Sequence, residues 1–311
     1  MTDRALRCAL LALFLIAFLA TATNANAQTK YATGQDVAPV FEGWEPNPDG
    51  SFNMVFGYMN RNYEEQSDIP IGPNNMFEPG DPDQGQPTHF YNRRQEFVFK
   101  IKVPKDWGDK DLTWTLTSAG KTNKTYGTLR PVWEISNMVY QENRGSAGDL
   151  SYPGEPNSAP AIEMVGSSQR TIKVGEPLTV TVQVSDDGHP LPRARRPGGP
   201  AMIREGAREY AGIGPKLETP ITQAVVKLDP GVRLGVTWVV YRSGPGEVTF
   251  DPMRASVVTA GPPSSVTAAE TITGKATTKM TFSQPGTYVV RAYGDDGMLA
   301  VPLDVTVTVQ P

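Results

Sequence analysis

Cysteine is almost missing from this 311-residue chain, with Cys8 as its one copy, and histidine occurs only as His89 and His189. Cys8 sits in a leader-like N-terminus, so the expected mature protein carries no thiol. That excludes disulfides, a cysteine nucleophile and thiolate-bound zinc. The sequence also lacks H-E-x-x-H, G-x-S-x-G and a glycine-rich phosphate cradle, and with them the usual signatures of zinc proteases, serine hydrolases and nucleotide enzymes. Positive charge is not in excess either. The net charge of −4 implies no overall attraction to nucleic acid. After Ala20 no apolar run approaches the roughly 20 residues that a membrane-spanning helix needs.

The N-terminus does have structure to read. Arg4 and Arg7 precede an apolar run from Ala9 to Ala20, and the stretch closes on Ala25-Asn26-Ala27. This is the pattern of a secretory signal peptide over residues 1–27 with an A-x-A cleavage site, which starts the mature chain at Gln28. Removing Asp3, Arg4 and Arg7, a net +1, takes the charge from −4 to −5. The expected product is periplasmic or extracellular, with no transmembrane segment after cleavage.

Beyond the leader, helical periodicity is scarce and period-two alternation recurs between Gly, Pro, Asn and Asp. The pattern predicts an all-β protein of two β-sandwich domains. In the first, over 36–140, Phe52, Met54, Phe56 and Tyr58 share one strand face. Phe97, Phe99, Ile101 and Val103 share another, Leu112, Trp114 and Leu116 a third, and the run YGTLRPVWEI closes the set. The stretch 61–94 is dense in Pro, Gly, Asn and Asp but carries Ile69, Ile71, Met76, Phe77 and Phe90, which predicts an ordered loop rather than a disordered one. Residues 141–160 lose alternation and read as a linker. The second domain, 161–311, offers Val180, Val182 and Val184, then Leu234, Val236, Trp238 and Val240 on one face, around a basic insertion at 188–222.

The endings KVGEPLTVTVQVSDDG and FSQPGTYVVRAYGDDGMLAVPLDVTVTV resemble polycystic-kidney-disease (PKD) and related immunoglobulin-like domains over roughly residues 160 to 311. Tyr288, after Pro285-Gly286-Thr287, occupies the place of a tyrosine corner, and Trp238 that of the tryptophan such folds bury. Val290 stands where antibody domains place a cysteine, so packing replaces sulfur. The first domain, through FGYMNRN, IPIGPNN and GQPTHF, resembles an uncharacterised β-sandwich module of secreted bacterial proteins. That resemblance implies export.

One acidic turn is used twice, as SDDG around Asp186 and Asp187 and as GDDG around Asp295 and Asp296. In an immunoglobulin-like sandwich both turns emerge at one pole. Four carboxylates there would attract calcium, which binds clustered oxygens, or the inserted arginines Arg193, Arg195 and Arg196. Neither turn has the spacing of a dedicated calcium loop, so turn chemistry with arginine pairing is the preferred reading and no cofactor is expected. The same arginines are candidates for an anionic ligand, and Trp44 and Trp107, beside turns, for a sugar. The reading that results is a secreted, non-catalytic binding or envelope-structural protein whose partner is an envelope polysaccharide or another envelope protein. The alternative is a secreted hydrolase using Asp81, Asp83 and His89 of the acidic loop.

Overall fold

The structure is a computed structural model that describes residues 31–136, 138–140, 157–189, 234–259 and 271–311. The expected signal peptide, most of the linker 141–160 and most of the insertion 188–222, including Arg193, Arg195 and Arg196, lie outside the described residues. Strand is the dominant regular structure of the described residues, as the alternation predicts.

The first half contains β1 (Val37–Pro46), β2 (Phe52–Asn60), β3 (Ser67–Asp68), β4 (Asn75–Glu78), β5 (His89–Phe90), β6 (Arg93–Val103), β7 (Leu112–Ser118) and β8 (Lys121–Gly127). They form a β1-β2-β6 sheet, a β4-β7-β8 sheet and a short β3-β5 ribbon. Met54, Phe56, Phe77, Phe90, Phe99, Trp114 and Leu116 meet in one core. Phe77 stacks on Trp114 with centroids 5.5 Å apart, and Phe56 meets the same indole edge-on at 6.1 Å. Each such ring taken from water is worth roughly 1.5–3 kcal/mol. This burial explains why the stretch 61–94 is ordered: Ile69, Phe77 and Phe90 are core residues, and β4 pairs with β7.

Three local readings change. The strand β1 lies where no alternation was assigned, its residues interrupted by a register shift between Phe41 and Gly43. YGTLRPVWEI is not a strand: β8 ends at Gly127, and a 3-10 turn runs from Pro131 to Trp133. Pro131 has no N–H to give a ladder but suits the first position of a helical turn. Phe97 leaves the face of Phe99 because the β2-β6 register shifts between Phe56 and Tyr58, and Phe97 itself adopts φ 52°. Its ring packs instead against Tyr140 at 4.6 Å. Gly57 permits this bulge, since a Cβ there would stand 2.4 Å from the Gln95 carbonyl oxygen.

The second half contains β9 (Ala161–Met164), β10 (Gln169–Lys173), β11 (Leu178–Asp186), β12 (Gly235–Arg242), β13 (Val248–Asp251), β14 (Arg254–Ser256), β15 (Val258–Thr259), β16 (Ile272–Phe282), β17 (Gly286–Asp295) and β18 (Ala300–Gln310). One sheet runs β10-β18-β17-β12-β14; the other runs β13-β16-β11-β9, with β15 also on β16. Val180, Val182, Val184, Met280 and Phe282 of the second sheet share a core with Trp238, Tyr288, Val290, Val305 and Val307 of the first. The Tyr288 hydroxyl donates to the Gln284 carbonyl at 2.9 Å and accepts from the Gly246 N–H at 3.0 Å, which ties the start of β17 to the β12–β13 connection.

Alternation predicted one buried face for β12, yet Thr237, Val239 and Tyr241 on its other face are buried as well. The reason is a second contact layer. Residues of the first half lie over this face: Tyr91 packs with Val239 and Tyr293, and Tyr241 joins the core of the first half.

Candidate functional site

The acidic pole builds itself from its own backbone. Asp186 Oδ2 accepts from the Gly188 N–H at 2.9 Å, and Asp187 Oδ1 from the His189 N–H at 2.9 Å. Asp295 Oδ1 accepts from Gly297, and Asp296 Oδ1 from both Met298 and Leu299, all at 2.6 Å. Each aspartate thus closes the turn two or three residues ahead of it, with Gly188 (φ 85°) and Gly297 (φ 93°) taking the left-handed positions. Turn chemistry is what these residues do locally.

The two turns also meet. Asp296 is 3 % exposed, and burial pushes its carboxyl up to about 7, helped by the charge of Asp186 and opposed by the Leu299 and Met298 N–H groups and the neighbouring Asn157. Asp187 points elsewhere, its Oδ2 accepting from the Ser158 N–H at 2.9 Å. Asp295 is fully buried. The structure therefore brings Asp186 and Asp296 together beside Asn157, while Asp187 is occupied at the rim. Among the described residues no three His, Cys, Asp or Glu side chains are placed to share a metal ion. The arginines expected to neutralise this pole lie outside the described residues. The second turn also delivers Leu299 into a cluster with Val55, Ile135 and Tyr140 of the first half.

The acidic loop of the first half forms a seam with β12 of the second. Asp81 Oδ1 accepts from the Asp83 N–H at 2.9 Å, and Asp83 in turn grips Arg242 through both oxygens at 2.5 and 2.9 Å. That pairing with Arg242 holds the Asp83 carboxyl below the usual range. Arg242 Nε also reaches the Gln86 carbonyl at 3.2 Å, and the Tyr241 hydroxyl donates to the Gly85 carbonyl at 2.5 Å. His89 is held at both ring nitrogens, Nδ1 by Asp68 at 2.7 Å and Nε2 by Gln66 at 2.8 Å, edge-on to Tyr91. Tyr91 accepts the Val240 N–H through its hydroxyl at 2.8 Å. Asp83 and His89, two of the three hydrolytic candidates, are therefore spent on holding chain to chain. Arg242, Arg291, Tyr91 and Tyr241, which carry this seam, were not singled out in the sequence. The one available signal was an arginine in the middle of the apolar run TYVVRAY.

The two tryptophans part company. Trp44 lies in the first core, 8 % exposed, edge-on to Phe52 at 5.3 Å and donating its indole N–H to the Arg130 carbonyl at 2.9 Å. It has no face to offer a sugar. Trp107 is half-buried against that core, with Nε1 donating to the Lys110 carbonyl at 2.7 Å and the Lys110 amine 4.7 Å over its ring. Among the described residues Trp133 reaches solvent, as Tyr31 and Tyr126 do, and its chain neighbour Val132 is exposed as well. Sequence reasoning missed it by placing Trp133 in a strand. No known protein-family model matches this chain, and no curated protein matches it.

Proposed function

We propose that the chain is an exported, non-catalytic protein of the cell envelope, periplasmic or extracellular, built as two β-sandwich domains of which the second is immunoglobulin- or PKD-like. Its role is to bind an envelope polysaccharide or another envelope protein. The observation that carries this reading is the use made of its reactive side chains. Asp83 is locked on Arg242, and His89 is held between Asp68 and Gln66. A general acid or nucleophile needs a polar atom left over for substrate.

Two features support the architecture. Tyr288 makes a corner bond to Gln284, and Trp238 and Val290 share one core where an immunoglobulin fold would use a disulfide. The Val132 and Trp133 surface supports a binding role, because an aromatic ring left partly in water beside an apolar neighbour suits a sugar face or a protein partner. The test is sedimentation with purified envelope polysaccharide and with outer-envelope fractions, using the mature chain and Trp133→Ala. Binding weakened several-fold by Trp133→Ala is expected. Turnover of polysaccharide or ester substrates that disappears in Asp83→Ala and His89→Ala would overturn the reading in favour of a hydrolase.

A further inference from the structure

We infer that the two halves of the chain fold and melt as one unit, because each half completes a strand edge that the other leaves open. The edge of β12 that faces away from β17 is the first of these. Its partner β14 covers it only from Gly235 to Thr237, and the Trp238 N–H then reaches the Met253 carbonyl at 2.8 Å. Beyond Trp238 the partners come from the first half. The Val240 N–H donates to the Tyr91 hydroxyl at 2.8 Å, the Tyr241 carbonyl accepts from the Thr88 N–H at 3.0 Å, and the Ser243 N–H donates to Thr88 Oγ1 at 3.0 Å. The side chains of Tyr241 and Arg242 are fastened to the carbonyls of Gly85 and Gln86 as well. The second edge is that of β6, whose ladder with β2 skips Val98. The Val98 carbonyl accepts from Arg291 Nη1 at 3.0 Å and from the Tyr293 hydroxyl at 3.1 Å, both on β17.

The exchange is reciprocal, and what it covers is apolar. Tyr91, Val239 and Tyr293 form one buried cluster across the joint, Tyr241 sits in the core of the first half, and Leu299 lies with Val55, Ile135 and Tyr140. Parting the halves would put these side chains into water and leave the Val240 N–H and the carbonyls of Tyr241 and Val98 on open strand edges, which are templates for aggregation. Domains that touch through small polar interfaces move against each other, whereas an apolar, hydrogen-bonded joint holds them as one body. The ion pair between Asp83 and Arg242 is the lesser part, since side chains 40 % and 28 % exposed leave it to solvent screening. The loop from Asp83 to Thr88 is thus a strap held by buried bonds rather than by charge. This coupling holds whatever the chain binds.

The test uses the full mature chain. Calorimetric melting should give one transition whose measured and van't Hoff enthalpies agree. A full-length variant with a protease site inserted in the 141–156 stretch, cut after folding, should run as one species on gel filtration, in raised salt as in low salt. Tyr91→Phe removes only the hydroxyl that holds Val240. Hydrogen exchange at the Val240 amide should quicken at least tenfold in that variant, while Asp83→Ala should leave the amide protected. Two separate transitions in the wild type would overturn the inference, as would cut halves that elute apart. So would a Val240 amide that exchanges as fast in the wild type as in Tyr91→Phe. If raised salt or Asp83→Ala parts the cut halves, charge rather than buried pairing makes the joint, which would also refute it.

Discussion

The guanidinium of Arg291 lies on the ring of Tyr241, its central carbon 3.3 Å from the ring centroid. The same group forks onto Asp304 at 2.6 and 2.8 Å and donates to the Val98 carbonyl at 3.0 Å. The Tyr293 hydroxyl donates to that carbonyl as well, at 3.1 Å. One arginine of β17 thus joins its own sheet to β6 of the first half across a buried aromatic.

Arg291→Ala should lower stability by about 2–3 kcal/mol, from lost charge-assisted hydrogen bonds and a desolvated cation–π contact. Asp304 is 43 % exposed and stays solvated after the change, which keeps the cost below that of stranding a buried charge. Arg291→Lys should recover only a minor part, since an ammonium cannot fork. Urea titration reads this directly; a midpoint unchanged in Arg291→Ala would refute the assignment.

Leu299→Ala should cost about 2–4 kcal/mol, the range for emptying a buried leucine site. Leu299 is 5 % exposed among Val55, Ile135 and Tyr140. The expected signature is a lower melting temperature together with faster proteolysis near the 131–140 segment, because the leucine covers that segment.

In the second core, Trp238→Ala should cost about 3–5 kcal/mol as a large aromatic cavity opens. Tyr288→Phe should cost about 1–3 kcal/mol, leaving the Gln284 carbonyl and Gly246 N–H without their partner. Gly244→Ala should destabilise to a similar degree, as the new Cβ would stand 2.7 Å from the Tyr288 ring. Denaturant midpoints for the three variants, measured at one temperature, rank these effects.

Asp36 supplies a pH dependence. Burial pushes its acid up, yet hydrogen bonds from Asn123 (2.7 Å), Arg61 (2.6 Å) and Lys121 (3.2 Å) outweigh burial and hold it below the usual range. A depressed folded-state value means that the unfolded chain binds the proton more tightly. The stabilisation is therefore present above the ordinary carboxylate value of about 3.9 and is lost as pH falls through the lower folded value. The carboxylate lies just beneath the surface under its partners' side chains, so the contribution should be modest, about 1–3 kcal/mol. Asp36→Asn should lower stability at pH 7 and flatten the loss between pH 4 and acid, followed by urea titration at several pH values.

Much of the strand content was legible because alternation is a local property. Met54, Phe56 and Tyr58, or Val180, Val182 and Val184, share a face by the pleat alone. The turn before Tyr288 was legible too, since Pro285, Gly286 and Thr287 mark it, and the Tyr288 hydroxyl does bond back to the Gln284 carbonyl. The acidic turns were half legible. Asp-Gly pairs announce a turn, but nothing in the spacing of Asp186 and Asp296 says that the second turn buries Asp296 and carries Leu299 into the first half.

Composition and period-two patterning by themselves determined the all-β class, the dependence on packing rather than disulfides, and the main residues of both cores. Only the tertiary structure decided where parity breaks and what the polar residues do. Phe97 leaves the shared face because β6 carries two more residues than β2 between the Phe56–Phe99 and Tyr58–Gln95 pairs; Phe97, at φ 52°, lies in that bulge, and Gln95 returns to the buried face beyond it. Tyr241 and Arg291 are buried because another part of the chain, more than a hundred residues away, lies over their sheet. Contacts at that separation leave no trace in local periodicity. For the same reason Asp83 reads as a candidate catalyst in sequence and proves to be half of a clamp on Arg242.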